Sequence, residues 1–392
     1  RESDILHLKF WARAFEMLKQ AGAVSHPSEG QNAGCWVMDL SGDERLDDLD
    51  QSQKVLVRSS GTVTYTGKDI AYQLWKFGLL QKDFHYCRLL EEDDGHTVWR
   101  TTSEQGDPDA PSFGHAQVVY NVIDQRQAFP QKVVARGLAA LGFREQAERS
   151  RHFAYEMVAL TPDCAREMGM ELDAARSQRG YVEMSGRKGL GVKADDLLDR
   201  LEGRAALEVR KRNPDPGQQE IGAIAHLLAV GALRYFMLRF TRNRVIAFDF
   251  NEVLSFEGET GPYVQYSAVR AGKIMAKLTR TEPLATEKIA GQASDWLADP
   301  KTEPPAAEWR LARACGQVGT VVAECVEKQD LSGLARHAFS MAQIFNSFYH
   351  RFPVIQETDE AVRRRRILLV DLFRRTMTRT LDLMGIPVPP RM

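Results

Sequence analysis

The chain has 392 residues, 43% hydrophobic and 27% charged, which is more than one hydrophobic core usually organises and enough to bury a sizeable one. Its 52 Lys and Arg nearly balance 53 Asp and Glu for a net charge of −1, so any nucleic-acid contact must come from local patches and not from a global field. Five cysteines, at 35, 87, 164, 315 and 325, include no Cys-x-x-Cys pair and no zinc-ligand spacing, which argues against a metal site or disulfide framework and implies reduced thiols in a cytoplasmic protein.

The N-terminus, Arg1-Glu2-Ser3-Asp4, has neither a methionine nor the apolar run of a signal peptide, and is expected to be a truncated start. Residues 3–21 carry Leu8, Trp11, Phe15 and Leu18 at helical spacing, with Gly22 at the end. Two short strands follow, at 35–40 and 54–58, separated by the acidic turn 43–50. The run Thr64-Tyr65-Thr66-Gly67-Lys68-Asp69-Ile70-Ala71 enters a helix whose apolar face is Ile70, Leu74 and Phe77. Tyr65 is expected just before that helix and Asp69 in its first turn. Asp69 can there complement the helix dipole and Tyr65 can pack as an ordinary aromatic. Alternatively the carboxylate accepts two parallel N–H bonds from a planar guanidinium while the tyrosine hydroxyl fixes another edge.

Residues 83–98 contain another acidic surface turn, 91–95. The near-continuous apolar run 117–123 predicts a parallel strand buried on both faces, with Asp124, Gln125, Arg126 and Gln127 at its carboxyl end, where open α/β sheets bind ligands. Pro130 opens the next helix, which ends near Gly142. Residues 161–180 carry no clear signal. The stretch 181–198 combines Gly186, Gly189 and Gly191 with Arg187, Lys188 and Lys193 ahead of a helix start bearing Asp195 and Asp196. That composition suits a phosphate-binding loop or a solvated connection.

Residues 213–217, Asn-Pro-Asp-Pro-Gly, break the chain, and from 218 onward the pattern is helical apart from a strand-like 245–250. The apolar segment 221–240 carries His226, Arg234 and Arg239, so it reads as a buried helix and not a membrane span. Within 250–266, Gly261 and Pro262 lead into a helix that places Tyr263 and Tyr266 on one side with Arg270 beyond, a combination that can stack unpaired bases or simply pack. Helices are predicted over 308–328, 331–349 and 359–384. The last has an inward face of Leu368, Leu369 and Leu372 and a basic surface of Arg363 to Arg366, Arg374, Arg375 and Arg379.

Met184-Ser185-Gly186-Arg187-Lys188-Gly189 resembles the Lys-Met-Ser-Lys-Ser loop of class I aminoacyl-tRNA synthetases, in the degenerate form of bacterial arginyl-tRNA synthetases. Glu183 and Gly186 stand where that loop has lysines, so the charge has moved to Arg187 and Lys188. Similarity to the same family covers Thr64 to Ala71, the junction 250–266, Asn346-Ser347-Phe348-Tyr349-His350 and the ending Pro387 to Met392, which would be a natural C-terminus. The implied architecture is the α/β second half of a Rossmann-like catalytic domain over 1–255, with its phosphate loop at 181–193, followed by an all-α anticodon-binding bundle over 256–392.

The resemblance implies an arginine–tRNA ligase. Tyr65, Asp69 and Gln127 would bind arginine, with Gln125 competing for the last place. Met184, Ser185, Arg187 and Lys188 would bind ATP, with Ser185, Arg187 and Lys188 catalytic, and Tyr263, Tyr266 and Arg270 would contact tRNA. The implied partners are tRNA-Arg, L-arginine and ATP with Mg²⁺, with no structural metal and no membrane, for a monomer. The family's His-x-Gly-His signature is absent from the nine histidines, so the isolated chain is expected to be inactive or nearly so. A non-catalytic tRNA-binding paralogue or one half of a split enzyme is the competing expectation.

Overall fold

The computed structural model describes residues 2–41, 52–172, 180–184, 191–212, 217–281 and 305–392, and the chain divides into two compact units, 1–155 and 156–392. In the first unit, α1 (Glu2–His7) and α2 (Phe10–Gln20) replace the single helix predicted over 3–21. The break is Lys9, whose φ of 54° is left-handed and cannot continue a helix. Strands β1 (Val24–Ser25), β2 (Trp36–Asp39) and β3 (Gln53–Val57) form an antiparallel sheet, followed by α3 (Tyr65–Lys76). After the hairpin β4 (His85–Glu91) and β5 (Thr97–Thr102), strand β6 (Val119–Asp124) leads through α4 (Ala128–Ala140) and α5 (Arg144–Arg149) to its parallel partner β7 (Ser150–Tyr155).

Phe10, Leu18, Leu56, Ile70, Leu74, Val133 and Leu138 knit these elements into one core. Helices α3 and α4 meet at Gly137, where an added Cβ would lie 3.1 Å from Ile70 Cδ1, so a side chain there would push the helices apart. Strand β6 departs from its prediction. Its side chains alternate, with Val119 and Asn121 buried and Tyr120 and Val122 50% and 63% exposed. The reason is one-sided cover: α3 reaches the inner face through a bond from Lys76 Nζ to Asn121 Oδ1 at 3.0 Å, and within the described residues of this unit the outer face carries no layer.

The second unit has two hydrophobic clusters. The first joins β8 (Val158–Leu160), α6 (Pro162–Glu167), α7 (Ala194–Arg212), α8 (Gln218–Leu238), β9 (Ile246–Phe248) and α9 (Phe250–Val253) around Leu201, Ile224, Leu228, Phe236, Phe248 and Phe250. The second joins α10 (Gly261–Thr281), α11 (Ala306–Gly316), α12 (Val318–Lys328), α13 (Ser332–Arg351) and α14 (Glu360–Leu383). Its centre is the face-to-face pair Phe345 and Phe373, with ring centroids 3.9 Å apart. The helix predicted over 308–328 is thus two helices meeting at Gln317.

Most of the first cluster precedes residue 256 and most of the second follows it, whereas the compact units divide at 155/156. Helix α8 explains the difference, because Ile224 and Phe236 belong to the first cluster and Tyr235 to the second. By length and composition α8 could cross a bilayer, yet half of its apolar window is buried within the protein.

Helix α14 corrects the predicted basic face. Arg365 and Arg366 are buried, not exposed, because Glu308 on α11 is 1% exposed and takes Arg365 Nε at 2.6 Å and Arg366 Nε at 2.9 Å. Arg366 also reaches Glu357 Oε2 at 2.5 Å. The exposed arginines are Arg375 and Arg379, while Arg363, Arg364 and Arg374 are half-buried. Of the leucines expected inward, Leu369 is buried and Leu372 is 36% exposed; Ile367, Val370, Phe373 and Met377 complete the true inner face. Removing a buried carboxylate deprives both guanidinium groups of the charge partner they share in a water-poor site. Glu308→Ala should therefore destabilise the second unit by about 3–5 kcal/mol in urea unfolding, and a loss below about 1 kcal/mol would contradict this account.

Candidate functional site

The entry to α3 is built by Thr64. Its backbone is extended, its hydroxyl accepts from Gly67 N at 3.4 Å as a helix cap, and the same hydroxyl reaches the carbonyl oxygens of Val55 and Leu56 on β3 at 3.2 and 3.1 Å. The helix therefore starts at Tyr65 itself, and Asp69 lies one turn further on, not in the first turn. Four residues apart, the two side chains share one helix face. Dipole complementation fades after the first turn, which weakens the purely structural explanation of Asp69.

Tyr65 is 78% exposed, with Lys68 Nζ 5.3 Å from its ring centre, and Asp69 is exposed beside it. Further along the helix, Lys76 lies 4.6 Å over the Tyr72 ring; burial lowers its pKa and the charge of Asp69 opposes that shift. An open groove of about 750 Å³ flanks Tyr65, lined among others by Glu29, Asn32, Lys54, Arg58 and Thr64.

At the carboxyl end of β6, Asp124 accepts from Arg126 N at 2.8 Å and so caps the single 3₁₀ turn Gln125–Gln127. The Arg126 guanidinium clasps the same carboxylate with bonds of 2.9 and 2.8 Å, which holds the Asp124 pKa at about 2. Gln125 and Gln127 flank Arg126, and both are exposed. Phe129 follows at the start of α4, with Lys54 Nζ of β3 4.9 Å from its ring centre. Strand β3 thus anchors both parts: Val55 and Leu56 hold Thr64 next to Tyr65, while the adjacent Lys54 covers the residue two beyond Gln127.

In the second unit, Val182 pairs with Leu160 at the edge of β8, and Met184 packs against the first cluster. Ser185, Arg187 and Lys188 lie outside the described residues. On α10, the expected RNA-contacting residues have unequal roles. Tyr263 is half-buried, its ring 5.3 Å from that of Phe339 and its hydroxyl accepting from Asn346 Nδ2, whereas Tyr266 is 36% exposed. Arg270 Nη2 donates to the Tyr266 hydroxyl at 3.1 Å, and Arg270 Nη1 to Asn346 Oδ1 at 3.0 Å. Asn346 and Tyr349, both from α13, are members of this constellation that residue spacing on α10 could not reveal.

Residues 264–392 match the DALR anticodon binding domain family. Among curated relatives, the chain is 35% identical over 400 residues to the arginine–tRNA ligase of Deinococcus radiodurans, with 100% of this chain and 60% of the relative covered. It is 34% identical over 397 residues to that of Pyrococcus furiosus, covering 100% of this chain and 57% of the relative. The solved Thermus thermophilus arginyl-tRNA synthetase superposes with a TM-score of 0.78 at 30% identity, covering 100% of this chain and 59% of that structure. The chain therefore spans about three-fifths of the length of its relatives. With the whole length of this chain covered by these relatives and residues 264–392 matched by the DALR family, the chain belongs, as a C-terminal portion, to the arginyl-tRNA synthetase family.

Proposed function

We propose that this chain supplies the amino-acid-recognising and tRNA-binding parts of an ATP-dependent arginine–tRNA ligase acting in the cytoplasm. The observation that carries the reading is the common anchoring on β3 of the Tyr65/Asp69 helix face and the Gln125–Gln127 turn. A carboxylate on a rigid helix accepts the two parallel N–H bonds of a guanidinium, and a lysine ammonium could not reproduce that bidentate geometry. Tyr65 supplies a hydroxyl and an aromatic face to the same ligand, and Gln127, or Gln125 in its place, an amide. Asp124 holds Arg126 and the turn in place, since both of its oxygens accept from that residue.

In the reaction, a carboxylate oxygen of arginine attacks the α-phosphorus of ATP and pyrophosphate leaves. A ribose hydroxyl at the tRNA 3′ end then attacks the arginyl carbonyl and AMP leaves. Met184, Ser185, Arg187 and Lys188 belong to the loop that would bind the ATP phosphates, with Ser185, Arg187 and Lys188 stabilising the charge that develops there. Mg²⁺ enters with ATP as part of the substrate. Tyr263, Tyr266 and Arg270 face the tRNA, Tyr266 as a stacking platform and Tyr263 as its packed support. Transition-state stabilisation by opposed groups requires both halves of the phosphate site, and donors lost from one side cost ~10²-fold or more each.

Two outcomes are expected. In a full-length enzyme carrying this chain, Asp69→Asn should raise the KM for arginine by about 10²-fold with a much smaller effect on the KM for ATP, and an unchanged arginine KM would refute the pocket. The 392-residue chain by itself should fail to attach labelled arginine to tRNA while retaining tRNA affinity. Robust charging by the chain alone would show that the site is complete without further residues.

A further inference from the structure

The face formed by α10 and α13 contains a hydrogen-bond network that stacking by tyrosines does not require. The Arg270 guanidinium carbon lies 4.8 Å from the ring centre of Tyr266 and 5.9 Å from that of Tyr349. A long side chain between two rings would still sample several rotamers, and freezing them on binding would cost affinity. Asn346 removes that freedom. Its Oδ1 accepts from Arg270 Nη1 at 3.0 Å, and its Nδ2 donates to Ser267 Oγ at 3.0 Å and Tyr263 OH at 3.1 Å. The amide has a single orientation here, because a guanidinium carries donors only and must face the oxygen. Ser267, 0% exposed, donates its own proton to the Tyr263 carbonyl at 3.0 Å, which leaves its oxygen ready to accept from Nδ2.

From this geometry we infer that Asn346 is a positioning residue: it locks the Arg270 guanidinium between Tyr266 and Tyr349, so that a cation and an exposed aromatic ring are offered in one geometry to an unpaired nucleotide. The inference rests on the reading of this face as RNA-binding. Asn346 acts through Arg270 and touches no RNA itself. Tyr349, which spacing on α10 does not identify, is the second wall of the clamp.

The test is a double-mutant cycle on tRNA affinity, using the full 392-residue chain, an unmodified tRNA-Arg transcript and the variants Asn346→Ala, Arg270→Ala and both together. Each single variant should weaken binding about tenfold, and the double variant should bind no more weakly than Arg270→Ala, since without the guanidinium nothing remains to be held. A second readout needs no RNA. The Arg270 Nη groups should give separate, slowly exchanging NMR signals in the parent chain and averaged ones in Asn346→Ala. Additive losses, wild-type affinity in Asn346→Ala beside a weakened Arg270→Ala, or unchanged guanidinium signals would each overturn the positioning role. Wild-type affinity in Arg270→Ala would instead sink the RNA-binding reading, and the NMR signals alone would then decide whether the lock exists. Should Asn346→Ala not fold, Asn346→Asp carries the test. Its second oxygen can accept from the Tyr263 hydroxyl, and from Ser267 once that hydroxyl turns its proton away from the Tyr263 carbonyl, so affinity should stay within about twofold, and a tenfold loss would overturn the inference.

Discussion

A helix that is apolar around most of its circumference must be covered on more than one side, and the architecture of the second unit follows from that constraint on α8. Its buried residues run as two adjacent stripes, Ile224, Leu228 and Ala232 beside Ala225, Ala229 and Phe236, with Tyr235 turned to the other core. Helix α7 covers one side and α10 another. The α10 crossing is close because Gly261 carries no side chain, where a Cβ would come within 2.6 Å of the Gly231 carbonyl oxygen. Gln265 then crosses the interface, donating to the carbonyl oxygens of Leu227 at 3.0 Å and Pro387 at 2.7 Å. One residue later stands the exposed Tyr266, so the contacts that seat α10 on α8 also set the direction in which Tyr266 points outward.

Buried charge has a comparable role at the far end of the bundle. Glu308 is almost wholly enclosed and would be costly there alone, but two arginines of α14 and the Glu357 carboxylate beside them form a closed set. These arginines register α14 against α11 and are thereby withdrawn from any surface role. The basic residues that remain exposed, Arg375 and Arg379, are themselves paired with Asp371 and Asp382 on their own helix.

In the first unit the corresponding constraint is the short distance between β3 and two different loops. Thr64 bonds to β3 and caps α3 at once, which fixes where the helix begins and hence which turn holds Asp69. On the same strand, Lys54 lies over Phe129 at the start of α4. A ligand site that drew on both a helix start and a 3₁₀ turn would need such a common anchor, because side chains on two independently moving elements cannot hold one geometry.

The sequence by itself determined the family and the order of α/β elements before a helical bundle, and it singled out the candidate residues Tyr65, Asp69, Gln127 or Gln125, Tyr263, Tyr266 and Arg270. Periodicity and short motifs are local, and local chemistry is what they report. Tertiary structure decided what depends on distant partners: the start of α3, set by β3; the one-sided burial of β6, set by which helices cover it; and the burial of Arg365 and Arg366, set by a carboxylate 57 and 58 residues away in sequence. Asn346 belongs to the second group. Its three bonds reach Arg270, Ser267 and Tyr263, 76 to 83 residues earlier, and no spacing rule connects residues that only the packing of α13 on α10 brings together.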